Sequence, residues 1–392
     1  MKSVVVGLAR TPIGRFGGAF KPLRATDLGA AAIGGALGGA AVAPEGVDEV
    51  IFGHVVQAGA GQITARQAAN GAGIPMTVPA TTVNKVCLSG LTAIAMADRS
   101  IRLEESSVVV AGGMESMTNA PYLLPDARWG GRLGHGPLVD AMQHDGLWCA
   151  FDECSMGESA DAKNEALGIS REEQDEWSAA SHERAASARD SGHFAAEIVP
   201  MDVPARRGES VRVEHDEGIR DDATAESLGR LRPVFTPEGS TTVGNASQIS
   251  DGGAAVVVAS EGAAADLGAE PLAEIVAYGQ IAGPDATLHE RPAQAIEAAL
   301  DRAGLAPSDL DVIEINEAFA SVALWSARML DLDPGHVNPN GGAVALGHPI
   351  GATGARLVVT LVNELRRRGG GLGAAALCGG GGQGDALIVR VG

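Results

Sequence analysis

The sequence predicts a duplicated α/β fold: two βαβ-built halves with helix-covered sheets, the first interrupted by a long insertion. Three observations predict it. Ala43-Pro44-Glu45-Gly46-Val47-Asp48 answers to Ala306-Pro307-Ser308-Asp309-Leu310-Asp311, and Ile33, Ala36 and Leu37 answer to Ile296, Ala299 and Leu300, at a constant offset of 263 residues (306 minus 43, 296 minus 33). Short apolar strands alternate with helical patterns in both copies, the mark of βαβ units and mainly parallel sheets. From about Asn119 to Asn245 the sequence turns polar and irregular before the pattern resumes.

Taken in order, residues 4–8 are a strand's length of apolar side chains. The helix carrying Ile33, Ala36 and Leu37 passes through a proline turn into a strand at 50–52. An almost wholly apolar helix at 90–101 leads to a strand at 108–111 that runs into Gly112-Gly113. In the irregular middle, Ser170 with Glu173 makes a capping box and starts one clear helix. The strand at 254–259, entered through Asp251-Gly252-Gly253, returns to the first copy. The second copy repeats the order: a helix around Ile296, a strand at 312–315, a helix at 352–368, and a strand at 374–378 that runs into Gly379-Gly380. Arg366 to Arg368 suit the negative end of that last helix, and Gly369 stops it. The expected units are 1–118 with 250–270, an inserted loop domain at 119–249, and 271–392.

Composition narrows the function classes. With 49 acids against 29 bases the net charge is -20, so a face for neutralising nucleic-acid phosphates is not expected. An anionic small ligand would need local attraction, and the local reserve is Arg206, Arg207, Arg212, Arg220, Arg230 and Arg232. Glycine, 54 of 392 residues, is about twice its average usage and gathers in short clusters without a collagen period, which points to tight turns and close backbone approaches. No signal peptide and no membrane-spanning stretch are visible. Cysteines 87, 149, 154 and 378 lack metal-ligand spacing and disulfide-scaffold density, so a cytoplasmic, reduced protein without a metal is expected.

Four segments could carry chemistry. Cys87 sits in Asn84-Lys85-Val86-Cys87-Leu88-Ser89-Gly90, just ahead of the apolar helix, where unpaired N–H groups and the helix dipole favour a thiolate. A free thiol, with pKa about 8.5, is mostly protonated at neutral pH, so a base would still help. An inert buried cysteine fits the same residues. His348, in Gly347-His348-Pro349-Ile350-Gly351, stands at the mouth of another helix, as a base or as a structural cap. Cys378 opens Gly379-Gly380-Gly381-Gly382-Gln383-Gly384, whose unshielded amides can build an oxyanion hole. No Gly-Lys-Ser/Thr follows, so a nucleotide P-loop is not expected. Asn316, in Asn316-Glu317-Ala318-Phe319-Ala320, follows a strand end facing a crevice; it can hold a water or carbonyl oxygen, or cap a helix beginning at Glu317.

Together with Gly112-Gly113-Met114-Glu115-Ser116, these segments resemble the signature segments of the thiolases, in the family's order and across the whole chain. The resemblance implies a duplicated thiolase fold, with mixed sheets layered αβαβα and an inserted loop domain. It is strongest to the members that condense two acetyl-CoA into acetoacetyl-CoA and CoA. It implies that Cys87 carries the acyl group, that His348 takes its proton, and that Cys378 removes an α-proton. Asn316, through a water, and His348 would polarise one thioester oxygen, and the N–H groups of Cys87 and Gly380 the other. Ser247, within Gly244-Asn245-Ala246-Ser247, resembles the pantetheine contact and Arg220 the contact to the nucleotide end; Phe319, Leu147 and Met156 would line the tunnel. No separate cofactor is implied, because coenzyme A esters are the substrates, and a homodimer or homotetramer is expected. One departure concerns chain length: Ser155 precedes Met156-Gly157 where short-chain biosynthetic members often carry His. A degradative thiolase of broader range is therefore the alternative. A ketoacyl synthase and a non-catalytic acyl-CoA carrier are further from the motifs.

Overall fold

The computed structural model describes residues 2–131, 133–205 and 208–392; Arg206 and Arg207 lie outside them. Nine strands share one large sheet: β1 (Ser3–Arg10), β2 (Glu49–Gly53), β3 (Ala80–Val83), β4 (Val108–Ser116), β5 (Ser250–Ser260), β6 (Ala273–Ala282), β7 (Val312–Ile315), β8 (Gly371–Gly379) and β9 (Gln383–Val391), with the two-residue strand Gly14–Arg15 beside β5. Their order is β7-β8-β9-β6-β1-β5-β4-β2-β3. From β2 to β7 it reads the same from either end, with β2, β4, β5 and β1 mirrored by β7, β8, β9 and β6. The expected duplication is thus written in the strand order. The halves meet where β1 and β6 share only the pairs Val4↔Glu274 and Val5↔Ala273.

The expectation of mainly parallel pairing is corrected. Only β2 with β3, β2 with β4, and β7 with β8 run parallel; every pair between β4 and β8 along the sheet is antiparallel. The reason is local. Only residues 380–382 separate β8 from β9, and so tight a connection returns the chain antiparallel. Gly112 and Gly113 likewise do not end a strand but lie inside β4, which continues to Ser116.

The helices form three layers around this sheet. Helices α1 (Ala25–Ala40) and α2 (Ser89–Arg102) flank the first half; α3 (Met156–Leu167) and α4 (Arg171–Asp190) belong to the irregular middle; α5 (Arg291–Ala303), α6 (Ala320–Met329) and α7 (Thr353–Arg368) belong to the second half. Alternation along β5 shows the layering: Ala254, Val256 and Val258 join α2 and α7 in one core, while Ala255, Val257 and Ala259 join α1 in another. On the far side of the second half, α5 and α6 make a third core with Ile313, Ala374 and Ile388. The sequence α1, half-sheet, α2 with α7, half-sheet, α5 gives the αβαβα stack. Helices α2 and α7, buried between the half-sheets, cross on glycine. A Cβ on Gly354 would stand 2.4 Å from the Leu91 nitrogen, and one on Gly90 2.9 Å from the Ala355 nitrogen. That close approach brings the beginnings of both helices together, and with them residues 87 and 348.

Between Ser116 and Ser250 the described chain adds no strand to the large sheet; it forms short hairpins, α3 and α4. The capping box expected at Ser170 is present, with Glu173 N–H donating to Ser170 Oγ at 3.2 Å and Ser170 N–H to Glu173 Oε2 at 2.8 Å. No helix among the described residues is long and apolar enough to cross a membrane.

Candidate active site

Cys87 is held on a strained turn. Val86, directly before it, has φ +51°, a left-handed value that costs a β-branched residue of order 1–3 kcal/mol unless its surroundings enforce it. They do. Val86 N–H donates to Asn84 Oδ1 at 3.0 Å, Lys85 N–H donates to Ser89 Oγ at 2.8 Å, and the Ser89 hydroxyl donates back to the Val86 carbonyl at 2.6 Å. From the other half, Asp385 on β9 takes the Lys85 ammonium at 2.7 Å and the Thr92 hydroxyl at 2.7 Å.

His348 has a defined tautomer. Thr353 donates its hydroxyl proton to the Pro349 carbonyl at 2.9 Å, so the same oxygen must accept from His348 Nδ1 at 2.7 Å. With Nδ1 protonated, Nε2 is the unprotonated nitrogen, and Asn316 Nδ2 donates to it at a long 3.4 Å. The His348 backbone N–H is tied to the Gln248 carbonyl at 3.1 Å. Gln248 in turn donates to the carbonyls of Gly218, Val344 and Ala345 at 2.9–3.2 Å, fixing the approach to the histidine.

Asn316 follows β7 directly but caps no helix, because α6 begins only at Ala320 with Phe319 as its N-cap. Its Oδ1 is buried without a hydrogen-bond partner among the described residues. Glu317 beside it is anchored by four donors: Trp177 Nε1, Ser181 Oγ, Asn338 Nδ2 and Val344 N–H, at 2.8–3.0 Å. Glu115 does the same for the first half, accepting from Val55, Val56 and Gly351 N–H at 3.0–3.2 Å. Both glutamates stand within the motifs 112–116 and 316–320, but their partners lie elsewhere in the fold, so the sequence does not reveal this bracing.

These elements converge on a small cavity of about 60 Å³ lined by Cys87, His348, Cys378 and Gly380, with Leu147, Met156, Leu288 and Phe319 as its apolar wall. The backbone N–H groups of Cys87 and Gly380 lie near the Cys87 sulfur and act to lower its pKa. Burial nevertheless decides the charge: it pushes the Cys87 thiol up to about 11 against those two amides. At this helix start desolvation outweighs the dipole, so the thiol stays protonated without a base. Burial, reinforced by the neighbouring Cys87, also raises Cys378. His348 is pulled down to about 3, by burial first and by the Arg356 charge second. The resting site is thus uncharged: two thiols and an imidazole unprotonated at Nε2.

A second cavity, of about 440 Å³, opens from the first; Leu147, Met156, Ser247 and Phe319 line both. Exposed Arg15 and Arg220 stand on its wall, and neither makes a salt bridge among the described residues. Of the arginines expected to attract an anion, Arg212 pairs with Asp202 and Glu214, Arg230 pairs with Glu226, and Arg232 does not reach this wall. Arg15 and Phe235, whose ring meets Phe319 edge-on at 6.3 Å, were not foreseen, because they approach the cavity only through folding.

Comparison with known proteins follows the same lines. Residues 3–262 match the family description "Thiolase, N-terminal domain" and residues 269–391 match "Thiolase, C-terminal domain". A relative from Mycobacterium tuberculosis named "Probable acetyl-CoA acetyltransferase" is 53% identical over 100% of this chain and 99% of its own. The "Acetyl-CoA acetyltransferase" of Thiocystis violacea is 46% identical over 99% of this chain and 98% of its own. The crystal structure of the Bacillus anthracis acetyl-CoA acetyltransferase superposes with TM-score 0.97 at 44% identity, covering 100% of this chain and 98% of that one.

Proposed function

The chain belongs to the thiolase family, and we propose that it is an acetyl-CoA C-acetyltransferase that joins two acetyl-CoA reversibly into acetoacetyl-CoA and CoA through an acetyl group carried on Cys87. One observation carries the chemistry: two thiols, an imidazole with an unprotonated Nε2 and the Gly380 backbone line a single small cavity.

The protons balance over the cycle. Cys87 gives its proton to His348 Nε2 as its sulfur attacks the thioester carbonyl, and the oxyanion accepts from the N–H groups of Cys87 and Gly380. The departing CoA thiolate takes the Cys378 proton, leaving an acetyl-Cys87, a Cys378 thiolate and an imidazolium. A thiol raised by burial is a strong base once ionised, which suits removal of an α-proton from the second acetyl-CoA. His348, with Asn316 acting through a bound water, stabilises the enolate oxygen. The enolate attacks acetyl-Cys87, and the freed Cys87 sulfur recovers its proton from His348. Each residue ends as it began, and no further cofactor is required.

The long cavity suits the pantetheine and nucleotide of coenzyme A, with Ser247 and Phe319 along the arm and Arg15 and Arg220 toward the phosphates. The cavity at the two thiols, about 60 Å³, is much smaller than the 440 Å³ one beside it, which suits a short acyl group there. Its small size, rather than its apolar wall, supports the short-chain reading over a broad degradative one. Thiolysis of acetoacetyl-CoA by free CoA, run beside 3-oxoacyl esters of increasing length, tests it. The expected profile is a maximum of kcat/KM at four carbons and a steep fall beyond; a maximum at six carbons or longer contradicts it. We further read the protein as working in the cytoplasm as a homodimer or homotetramer.

A further inference from the structure

Cys149 and Cys154, two of the four cysteines, take no part in the chemistry above. They face each other across a hairpin whose strands pair Trp148 with Ser155 and Cys149 with Cys154. The Met156 N–H donates to the Leu147 carbonyl at 3.0 Å. By pleat alternation Cys149 and Cys154 are then also a hydrogen-bonded pair, with Cα atoms about 5.5 Å apart. Directly opposed side chains leave the same face of a hairpin, and the Cα separation lies within the roughly 4.4–6.8 Å a disulfide spans; the Cβ atoms of such a pair, toward about 5.5 Å apart, must draw in by about 1 Å for the bond to close. Cys149 is buried, its sulfur accepting from Asp152 N–H at 3.4 Å. Cys154 is half-buried and borders a surface groove of about 380 Å³ with Asp152, Glu158 and Lys163, so a small reagent reaches it from solvent.

The hairpin stands between the groove and the reaction. Leu147 and Met156 at its base form the wall of the catalytic cavity. Phe151 at its tip leans on the glycine loop that supplies the Gly380 amide, where a Cβ on Gly381 would stand 3.1 Å from its ring. Strands of two residues are marginal by themselves, so a single covalent tie would dominate the hairpin's rigidity.

We propose that Cys149 and Cys154 are a modification site, closed into a reversible intrachain disulfide by exchange with a low-molecular-weight disulfide, and that the bond locks the hairpin flanking the catalytic cavity. The Cys154 thiolate attacks one sulfur of R–S–S–R and expels R–S⁻. The Cys149 thiolate then attacks Cys154 in the mixed disulfide and expels the second R–S⁻. Two protein thiols are oxidised, one disulfide is reduced to two R–SH, and the two protons released by the cysteines end on those products. Burial, then Cys149, Asp152 and Glu158, hold the Cys154 thiol above its usual range, so the first step quickens as pH rises.

The test equilibrates the full, reduced chain with bis(2-hydroxyethyl) disulfide and 2-mercaptoethanol at graded ratios, alkylates remaining thiols with iodoacetamide, and maps the unreduced digest by mass spectrometry. Amide exchange is followed in parallel. The expected result is a peptide carrying both cysteines that has lost two hydrogens and escaped alkylation, reverts with dithiothreitol, and shows hairpin amides exchanging about tenfold more slowly. Cys154→Ser should abolish both signals. The proposal is overturned if both thiols stay alkylatable across the whole range, if they end as mixed disulfides or linked to Cys87 or Cys378, or if the link forms and hairpin exchange is unchanged.

Discussion

Thr353 decides which nitrogen of His348 carries the proton, and through it whether the imidazole can act as a base at all. Thr353→Val removes the acceptor of a buried N–H, an unpaired group that costs about 1–3 kcal/mol. The tautomer with the proton on Nε2 then relieves it and closes the lone pair that Cys87 needs. We expect kcat to fall about ten- to a hundredfold, with KM for acetyl-CoA within about twofold, and Thr353→Ser to restore most of the rate. Equal losses in both variants would reduce Thr353 to a packing residue. The uncharged resting site has its own signature. Because burial holds Cys87 near 11 and His348 near 3, iodoacetamide labelling of Cys87 should climb with pH well past neutrality and show no step between pH 6 and 7. A rate already level at pH 7 would mean a thiolate–imidazolium pair instead.

Helices α2 and α7 set the distance between nucleophile and base, and they do so through glycine. Gly354→Ala places a methyl group 2.4 Å from the Leu91 nitrogen, a backbone atom that can yield only if the helix moves. Overpacking of this kind costs typically about 1–3 kcal/mol. We expect that loss in denaturant melts together with a fall in kcat larger than stability explains, since the cavity between the helix starts widens. Gly38→Ala is the control: it lies on the exposed face of α1 with nothing within 4 Å of its added methyl, and it should leave kcat unchanged while adding up to about 1 kcal/mol of stability. Equal kcat in the two variants would uncouple the helix crossing from catalysis. At this scale the sequence was a good guide wherever the information is local. Apolar periodicity, the Ser170 cap and the Gly369 stop place helices because each acts within a turn or two. Strand direction was not local: the alternation of strands and helices looks alike whether a neighbouring strand arrives through a helix or through the three-residue turn before β9.

The site exists only in the assembled molecule, with Cys87 contributed by one half and Asn316, His348 and Cys378 by the other. Each stands beside a strand end or helix start, inside a contiguous string of residues, and so could be singled out by reading along the chain. Glu115, Arg15 and Phe235 act across the fold, at separations in sequence that no string reveals, whereas Thr353 lies only five residues beyond His348 and just outside the motif. The central claim is that Cys87 carries the acetyl group while Cys378 is indispensable only to the carbon–carbon step, water being able to replace it as the proton donor to the departing CoA thiolate. Its most direct test is intact-protein and peptide mass spectrometry after brief mixing with acetyl-CoA, applied to the native chain, Cys378→Ser and Cys87→Ser. One acetyl group on the Cys87 peptide of the native chain, its accumulation in Cys378→Ser with condensation lost, and its absence from Cys87→Ser are the results predicted. An acetyl group on any other residue, or equal loss of acetylation and condensation in Cys378→Ser, would contradict the account.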